Sequence, residues 1–349
     1  MKVIKDSNSL LAKYLTTELY DKLKWLKTKN WFTIDDLIKS NLVNKDSSIG
    51  IYAFDADSYE VFKDIFYPII KEYHNYDFSK AHIFDFDYKK LNFENDKLFD
   101  KYILSTRIRT ARNFANFPFG AWQNKQQRLY IENIMKEIFK DFDWTYFSLK
   151  DLSDSEKNKL VQEHILYKDN DRFMEAVWLM NDWPEWRGIF ISSDKTFIVW
   201  VNEEDELRLI AMEKWWDIKS VFRKLEFWVK EIENHIKNIF VDWQALSFAK
   251  DEKLWYLTSC PTNIWNGIRA SVHIKLENLW KNPKILEDIA SKYFLQIRWE
   301  YGEHSESKNY IYDISNKRRL WLSEVDAIND LYNWIKEIIN MEEKLSFKK

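Results

Sequence analysis

Tight turns need backbone with positive φ, which residues other than glycine adopt only at a cost, and this 349-residue chain has glycine at just 5 positions. Average usage is about 7%. Tryptophan, by contrast, occurs 18 times. Trp31 in KNWFT, Trp144 in DFDWTY, Trp215 and Trp216 in EKWWDIK, Trp280 in ENLWKNP and Trp299 in RWEYGE lie among turn formers, where a large indole fits poorly. Trp183 in NDWPEW and Trp200 in FIVWVNEE sit in sequence that can pack an indole. Reading the remaining sixteen as glycine restores an ordinary balance of the two residues. The pattern is that of a UGA codon meaning glycine in the source and translated as tryptophan. The alternative is a protein genuinely rich in tryptophan.

Length and a hydrophobic content of 46% support a real core, as two domains or one large one. No apolar run approaches the roughly 20 residues that span a bilayer. The start, MKVIKDSNSLLAKYL, has no signal-peptide h-region, so a cytoplasmic protein without a membrane partner is expected. A single cysteine, Cys260, excludes an internal disulfide framework and suits a reducing compartment. A formal charge of -3 argues against nucleic acid as the main partner. Monomer and dimer both remain open.

Residues 1 to about 95 read as a small all-helical domain. Leu10, Leu11, Tyr14, Leu15, Leu19 and Leu23 form one helical stripe, and Tyr59, Val61, Phe62, Ile65, Phe66, Ile69 and Ile70 another. The loop NKDSSIGIYAFD lies between them, and Asp77 to Lys101 reads as a link. Residues 96–349 mix strands with helices. TFIVWVN and LRLIAM flank the acidic turn EEDE as a hairpin, while LWYLTS, IRASVHIKL, YFLQIR and NYIYDIS are β-rich. Helices are expected at Gln126 to Lys140, Ile218 to Ile239, Lys284 to Lys292 and Ser323 to Leu345. The class expected is α+β, an antiparallel sheet flanked by helices.

Lysine outnumbers arginine 41 to 12, so each arginine kept is a stronger candidate for fork-like anion binding. Arg107, Arg109, Arg208, Arg269 and Arg298 all adjoin predicted strands or turns. A strand period of two puts Arg107 and Arg109 on one face. Two adjacent guanidinium groups suit polyphosphate, although salt bridges to the many carboxylates would also hold them. Glu203, Glu204 and Asp205 in the hairpin turn, and Glu303 with His304 in EYGEHSES, either face such a site or form solvated turns. Cys260 is reactive or an inert buried thiol, and His164 a ligand, a cap or a core residue. No zinc-like spacing, Walker A loop or GxGxxG loop is present, and no protein metal site is expected.

The runs STRIRTARN, NDWPEWRGIF, KTFIVWVNEEDELRLIAMEK, CPTNIWNGIRASVHIKL, LEDIASKYFLQIR, GEHSES and YDISNKRRL together resemble those of the phosphagen, or ATP:guanidino, kinases. The likeness is strongest to members that phosphorylate free arginine. It covers nearly the whole chain, including SSIGIYAFDADSY in the helical region, a region that bacterial protein-arginine kinases lack. It implies the guanidino kinase (glutamine synthetase-like) catalytic fold. It also implies reversible transfer of the ATP γ-phosphoryl group to L-arginine, with ATP/ADP and Mg²⁺ as cofactors. Arg107, Arg109, Arg208, Arg269 and Arg298 match the phosphate-binding arginines, and Ser105, Thr106 and Ile108, with Ala270, Ser271 and Val272, share their segments. His164, His273 and Asp313 match nucleotide contacts. Glu204 and Glu303 match the two carboxylates that hold the guanidinium, Cys260 the thiolate that touches it, and Ser47, Ser48, Ile49 and Tyr52 the loop for the amino acid end.

Several departures from the family pattern are tryptophans in place of glycine, at 215, 216, 255, 265, 299, 321 and 334. Real indoles at 265 or 299 would intrude on nucleotide or substrate, leaving an inactive scaffold or binding homologue. Independently, Ser48 stands where the substrate loop usually has glycine. That leaves room for another guanidino compound, or protein arginine, as the acceptor.

Overall fold

The computed structural model describes residues 6–76, 78, 83–94, 96–167, 171–299, 310–317, 320 and 322–346. The N-terminal segment is helical, as its stripes require. The first stripe is split into helices Leu10–Tyr14 and Thr17–Leu23, because Ser9 and Thr16 each turn a side-chain oxygen onto an amide three residues on and so start separate helices. The second becomes Ser58–Val61 and Lys63–His74, burying Ile65, Phe66, Ile69 and Ile70 on one side. Longer helices follow at Lys125–Phe139, Ile218–Ile236, Pro283–Lys292 and Glu324–Ser346, within a few residues of their expected bounds.

Among the described residues there are twelve strands: β1 Ile103–Arg112, β2 Trp144–Ser148, β3 Gly188–Ser192, β4 Phe197–Val201, β5 Leu207–Lys214, β6 Phe240–Val241, β7 Gln244–Ala245, β8 Lys250–Asp251, β9 Trp255–Tyr256, β10 Arg269–Lys275, β11 Leu295–Trp299 and β12 Ile311–Asn316. Eight form one sheet in the order β11-β12-β10-β1-β5-β4-β3-β2, and the others make two short ribbons, β6-β7 and β8-β9. The β1–β10, β10–β12, β11–β12, β2–β3 and β3–β4 pairs are all antiparallel. This is the α+β architecture expected. Trp144, read as a turn residue, instead lies in β2, paired with Ser192. LWYLTS contributes only the two residues of β9, since Leu257 and Thr258 leave the ribbon to approach other loops.

Packing divides the chain differently from a cut at residue 95. One compact unit is 1–81, 111–209 and 230–265, and the other is 82–110, 210–229 and 266–349. The N-terminal helices join the first unit through specific bonds. The Ala53 amide donates to the Ser259 carbonyl (2.8 Å), the Tyr59 hydroxyl to the Thr258 carbonyl (2.8 Å), and a ring nitrogen of His74 lies 2.9 Å from the Pro261 carbonyl.

Backbone conformation separates the tryptophans. Trp31, Trp178, Trp186, Trp215, Trp243, Trp255 and Trp265 all have φ between 55 and 78, whereas Trp183 and Trp200 do not have positive φ. A bulky residue in this region is an outlier. The β6-β7 ribbon is the plainest case. Its two-residue loop is Asp242 and Trp243, with φ 49 and 66, the conformation for which hairpins favour Asp-Gly. The Trp243 indole there is 98% exposed.

Gly50, one of the glycines present, shows what such positions demand. Its φ is 83, and a Cβ on it would lie 2.6 Å from Asn41 Oδ1 and 2.9 Å from Leu11 Cβ. Gly50→Ala is therefore expected to destabilise the protein by about 2 kcal/mol, read as a lower urea midpoint at unchanged slope. An unaltered midpoint would contradict this packing of the loop.

Candidate active site

Each unit builds one cluster of functional side chains. In the second unit, strand alternation sorts β1, β10 and β12 into two faces. Thr106, Ile108, Ala270, Val272, Ile274 and Ile314 are buried on one. The opposite face is set by the register: Ser105 opposes His273, Arg107 opposes Ser271, and Arg109 opposes Arg269. His273 in turn opposes Asp313, which opposes Arg298 on β11. Four arginines thus share a face with one carboxylate. Arg269 donates to Asp313 Oδ2 at 2.7 Å, and Ser105 Oγ is 3.1 Å from His273 Nδ1. Burial alone would push the Asp313 carboxyl up, but Arg269, with His273 and Arg107, holds it down at about 2. Arg269 Nε and Asp313 Oδ1 are buried with no hydrogen-bond partner in the protein. A face with excess guanidinium charge and unspent polar atoms fits a nucleotide polyphosphate.

In the first unit, the turn joining β4 to β5 carries the acidic run. It is not a solvated turn, because Glu203, Asp205 and Glu206 are all buried. The Asn202 side chain fixes its entry by donating to the carbonyls of Arg128 (3.0 Å) and Trp186 (2.8 Å). Arg208, on β5, sits among three carboxylates, 2.7 Å from Glu204, 3.1 Å from Glu203 and 3.6 Å from Asp205. Asp205 is fully buried and accepts from Asn113 Nδ2 and from the Ser259 amide, both at 2.8 Å. Burial, and then the Glu204 charge, pushes Asp205 up to about 6 against the pull of Arg208. The Ser259 hydroxyl donates to the Glu204 carbonyl at 3.1 Å, and Asn263 Nδ2 is 3.3 Å from Glu204 Oε2. Cys260 stands between these two contacts in the chain, its sulfur 3.1 Å from Thr262 Oγ1. The charge of Glu204 acts on Cys260, and those of both residues act on the Tyr52 phenol, which burial first of all raises.

The structure therefore brings Glu204, Cys260, Arg208 and Tyr52 together in one unit, and Ser105, Arg107, Arg109, Arg269, Ser271, His273, Arg298 and Asp313 in the other. Four expected nucleotide residues, Thr106, Ile108, Ala270 and Val272, turn their side chains to the core face, so only their backbone borders the arginine face. The Thr106 hydroxyl, for instance, is spent on the Trp215 carbonyl at 2.9 Å. His164 lies in the first unit, in the turn after helix Asp154–Gln162, with φ 57. Ser47 is buried and accepts from the Gly50 amide at 3.0 Å, Ile49 is buried, and Ser48 is exposed. Burial, and then Glu204, pushes the Cys260 thiol up to about 12. Trp265 differs from expectation, since its indole is buried against Tyr76, with ring centroids 5.2 Å apart, and its strain lies in the backbone at φ 78. Glu303 and His304, the side chain of Trp299, and Trp321 lie outside the described residues. Asn113, Ser259 and Asn263, which hold the acidic turn, escaped the sequence reading. Asn263 alone left a signal, as the fourth residue of CPTN.

Because Asp313 is held below its ordinary value of 3.8, the native state binds fewer protons there than the unfolded chain. Its stabilisation is present above about pH 4, is lost as pH falls towards 2, and amounts to about 2 kcal/mol. Asp313→Asn should be less stable than the parent near neutral pH, with the gap closing in acid. A gap independent of pH, measured by urea unfolding, would contradict the ion pair.

Comparison with known proteins gives the family. Residues 5–71 match the N-terminal domain of ATP:guanido phosphotransferases, and residues 125–345 match the C-terminal catalytic domain. An arginine kinase from Liolophura japonica is 40% identical over 343 residues, 97% of this chain and 95% of its own. The crystal structure of lombricine kinase superposes with a TM-score of 0.89 at 32% identity, covering 99% of this chain and 95% of that one. The duplicated taurocyamine kinase of Schistosoma mansoni, with bound transition state analog components, gives 0.88 at 32% identity over 98% of this chain and 47% of its own. Matched by the family models over most of its length and by relatives at 40% identity over nearly all of it, this chain belongs to the ATP:guanido phosphotransferases, the phosphagen kinases, enzymes that work on ATP/ADP and a guanidino substrate.

Proposed function

We propose that the enzyme reversibly transfers the γ-phosphoryl group of ATP to the guanidinium of L-arginine, giving phosphoarginine and ADP. The observation that carries this reading is charge. The buried turn sets three carboxylates against one guanidinium, so it favours a further cation, and a planar one suits the flat carboxylate of Glu204. Arg107, Arg109, Arg269 and Arg298 bind the phosphates, with Arg208, His164, His273 and Asp313 completing the nucleotide contacts. Mg²⁺ supplies further neutralisation of the transferring group. Mg²⁺ of this kind is commonly bound through substrate phosphates rather than by a dedicated protein cage.

Phosphoryl transfer needs little covalent help, and most of the barrier is lowered by alignment and charge neutralisation. Glu204 aims one guanidinium nitrogen along the in-line path and takes its proton as the nitrogen becomes nucleophilic. A guanidinium beside Cys260 offsets the burial that keeps the sulfur protonated and favours the thiolate. Glu303 acts as the second carboxylate, and Ser47, Ser48, Ile49 and Tyr52 receive the amino acid end. Arginine is favoured by the arginine kinase relatives at 40% identity. Another guanidino acceptor is the second reading, favoured by Ser48 in the substrate loop and by the lombricine and taurocyamine kinase neighbours. The match of residues 5–71 to the N-terminal domain weighs against protein arginine.

We further propose that the working protein carries glycine wherever this sequence has tryptophan, Trp183 and Trp200 excepted. Seven of these residues have positive φ, at about 1 kcal/mol or more each. The total rivals the whole stability of a domain, about 5–15 kcal/mol. Protein made with glycine at the sixteen positions should melt higher and phosphorylate arginine in a coupled assay, ahead of creatine, taurocyamine and lombricine. Equal stability and activity in the tryptophan form would sink the glycine assignment, and preference for another acceptor would sink the substrate assignment. Peptide masses of the natural protein read the residues directly.

In the active form, Glu204→Gln should lower kcat by about 100-fold or more while leaving ATP affinity nearly intact. Full turnover in that variant would refute the role of Glu204.

A further inference from the structure

Glu206 is the one member of the acidic run with no part in the chemistry above. It is fully buried, and among the described residues it makes no ion pair. Its two oxygens each meet one uncharged donor: the Phe114 amide on Oε2 and Gln123 Nε2 on Oε1, both at 2.5 Å. Its own backbone is held as well, the amide donating to Asn113 Oδ1 at 2.8 Å and the carbonyl accepting from the Asn202 amide at 2.9 Å. The elements packed on the carboxyl, residues 113–114 and 123, present no charge to it. The charged neighbour that acts on it is Asp205, whose carboxylate raises it further after burial itself.

An ionised carboxylate in such a place, with no cation and an anion alongside, is costly enough that the group takes up a proton instead. The same side chain ties the start of the loop after β1, at Phe114, and the short turn Gly120–Trp122, through the following Gln123, to the base of the hairpin that carries Glu204. Asn113, next to Phe114, holds Asp205 as well as the Glu206 amide. Displacing residues 113–114 therefore displaces the carboxylate that flanks Glu204.

We propose that Glu206 is a positioning residue, a neutral carboxylic acid whose Oε2 accepts from the Phe114 amide and whose Oε1–H donates to the Gln123 side-chain oxygen, with the Gln123 amide turned over so that this otherwise unpartnered oxygen faces it, and which so clamps Phe114 and Gln123 to the acidic turn and fixes Glu204 for the guanidinium. The neutral acid spares the turn another negative charge, which would otherwise repel Glu204 and Asp205 and lengthen the hairpin's contacts. The positioning role rests on the proposed function of Glu204, whereas the protonation state does not.

The test compares the active full-length enzyme with Glu206→Gln and Glu206→Leu. Infrared spectra in D₂O near neutral pH should show a protonated-carboxyl carbonyl band in the parent that is missing in Glu206→Gln. That variant, a neutral isostere, should keep kcat, its side-chain amide donating to the Gln123 oxygen as the acid proton does in the parent. Glu206→Leu should lose about 100-fold in kcat, as expected when a catalytic group is misplaced by about 1 Å, with KM for ATP little changed. No band difference, or a loss in Glu206→Gln as deep as in Glu206→Leu, overturns the neutral acid. Wild-type kcat in Glu206→Leu overturns the clamp. If Glu206→Leu fails to fold, the band and the kcat of Glu206→Gln still decide the protonation state, and Gln123→Leu, which removes one clamped partner, decides the clamp by the same kcat criterion. The infrared result holds for any guanidino acceptor.

Discussion

The buried guanidinium of Arg208 among Glu203, Glu204 and Asp205 is the interaction on which the first unit depends. Taking these charges out of water is expensive, and one cation cannot compensate three carboxylates. The protein meets the cost with neutral donors: the Asn113 amide, the Ser259 amide and the Asn263 amide each reach one of the acids. Those donors come from the strand exit at 113 and from the loop 259–263, so the same bonds that make the cluster tolerable also fix Cys260 beside Glu204. What is left is an excess of negative charge in buried, low-dielectric surroundings, which is worth far more to a cation than the same charges on a surface.

The arginine face of the second unit follows from a simpler constraint. In β1, β10 and β12, residues two apart share a face, and registers bring arginine opposite arginine and serine opposite histidine or arginine. The core face of the same strands is mainly apolar, with Thr106, Thr110, Arg112 and Asn316 as buried polar exceptions, so a register slip of one residue would turn the arginines of the other face towards that core. Register is therefore held by the hydrophobic side, and the position of the arginines proposed to bind phosphate follows from it.

Much of this was legible in the sequence. The helical stripes, the hairpin around EEDE and the Arg107/Arg109 spacing each follow from a periodicity that needs no tertiary information. The failures have physical reasons. β2 was hidden because Trp144 sits among Asp, Phe and Thr in a stretch that reads as a turn, and its strand character comes from pairing with β3. The burial of Asp205 and Glu206 was illegible because four acidic residues in a row look solvated, and their partners lie 54 to 93 positions away in sequence. The packing of residues 1–81 with 230–265 runs through single bonds onto loop carbonyls, from the Ala53 amide, the Tyr59 hydroxyl and the His74 ring, which leave no periodic pattern in the sequence. The tryptophans went the other way: turn chemistry flagged Trp31 and Trp215 from sequence, and both have positive φ, while Trp216 and Trp280 do not.

The central claim is that the acidic turn, with Cys260 on the loop beside it, holds a guanidinium for phosphorylation on nitrogen. Phosphorus-31 NMR of the enzyme with MgATP and L-arginine tests it most directly. The account predicts a new phosphorus–nitrogen resonance growing in step with ADP, and its reversal on adding ADP. ATP consumed with only inorganic phosphate appearing, or ATP left untouched by the glycine-bearing protein, would contradict it.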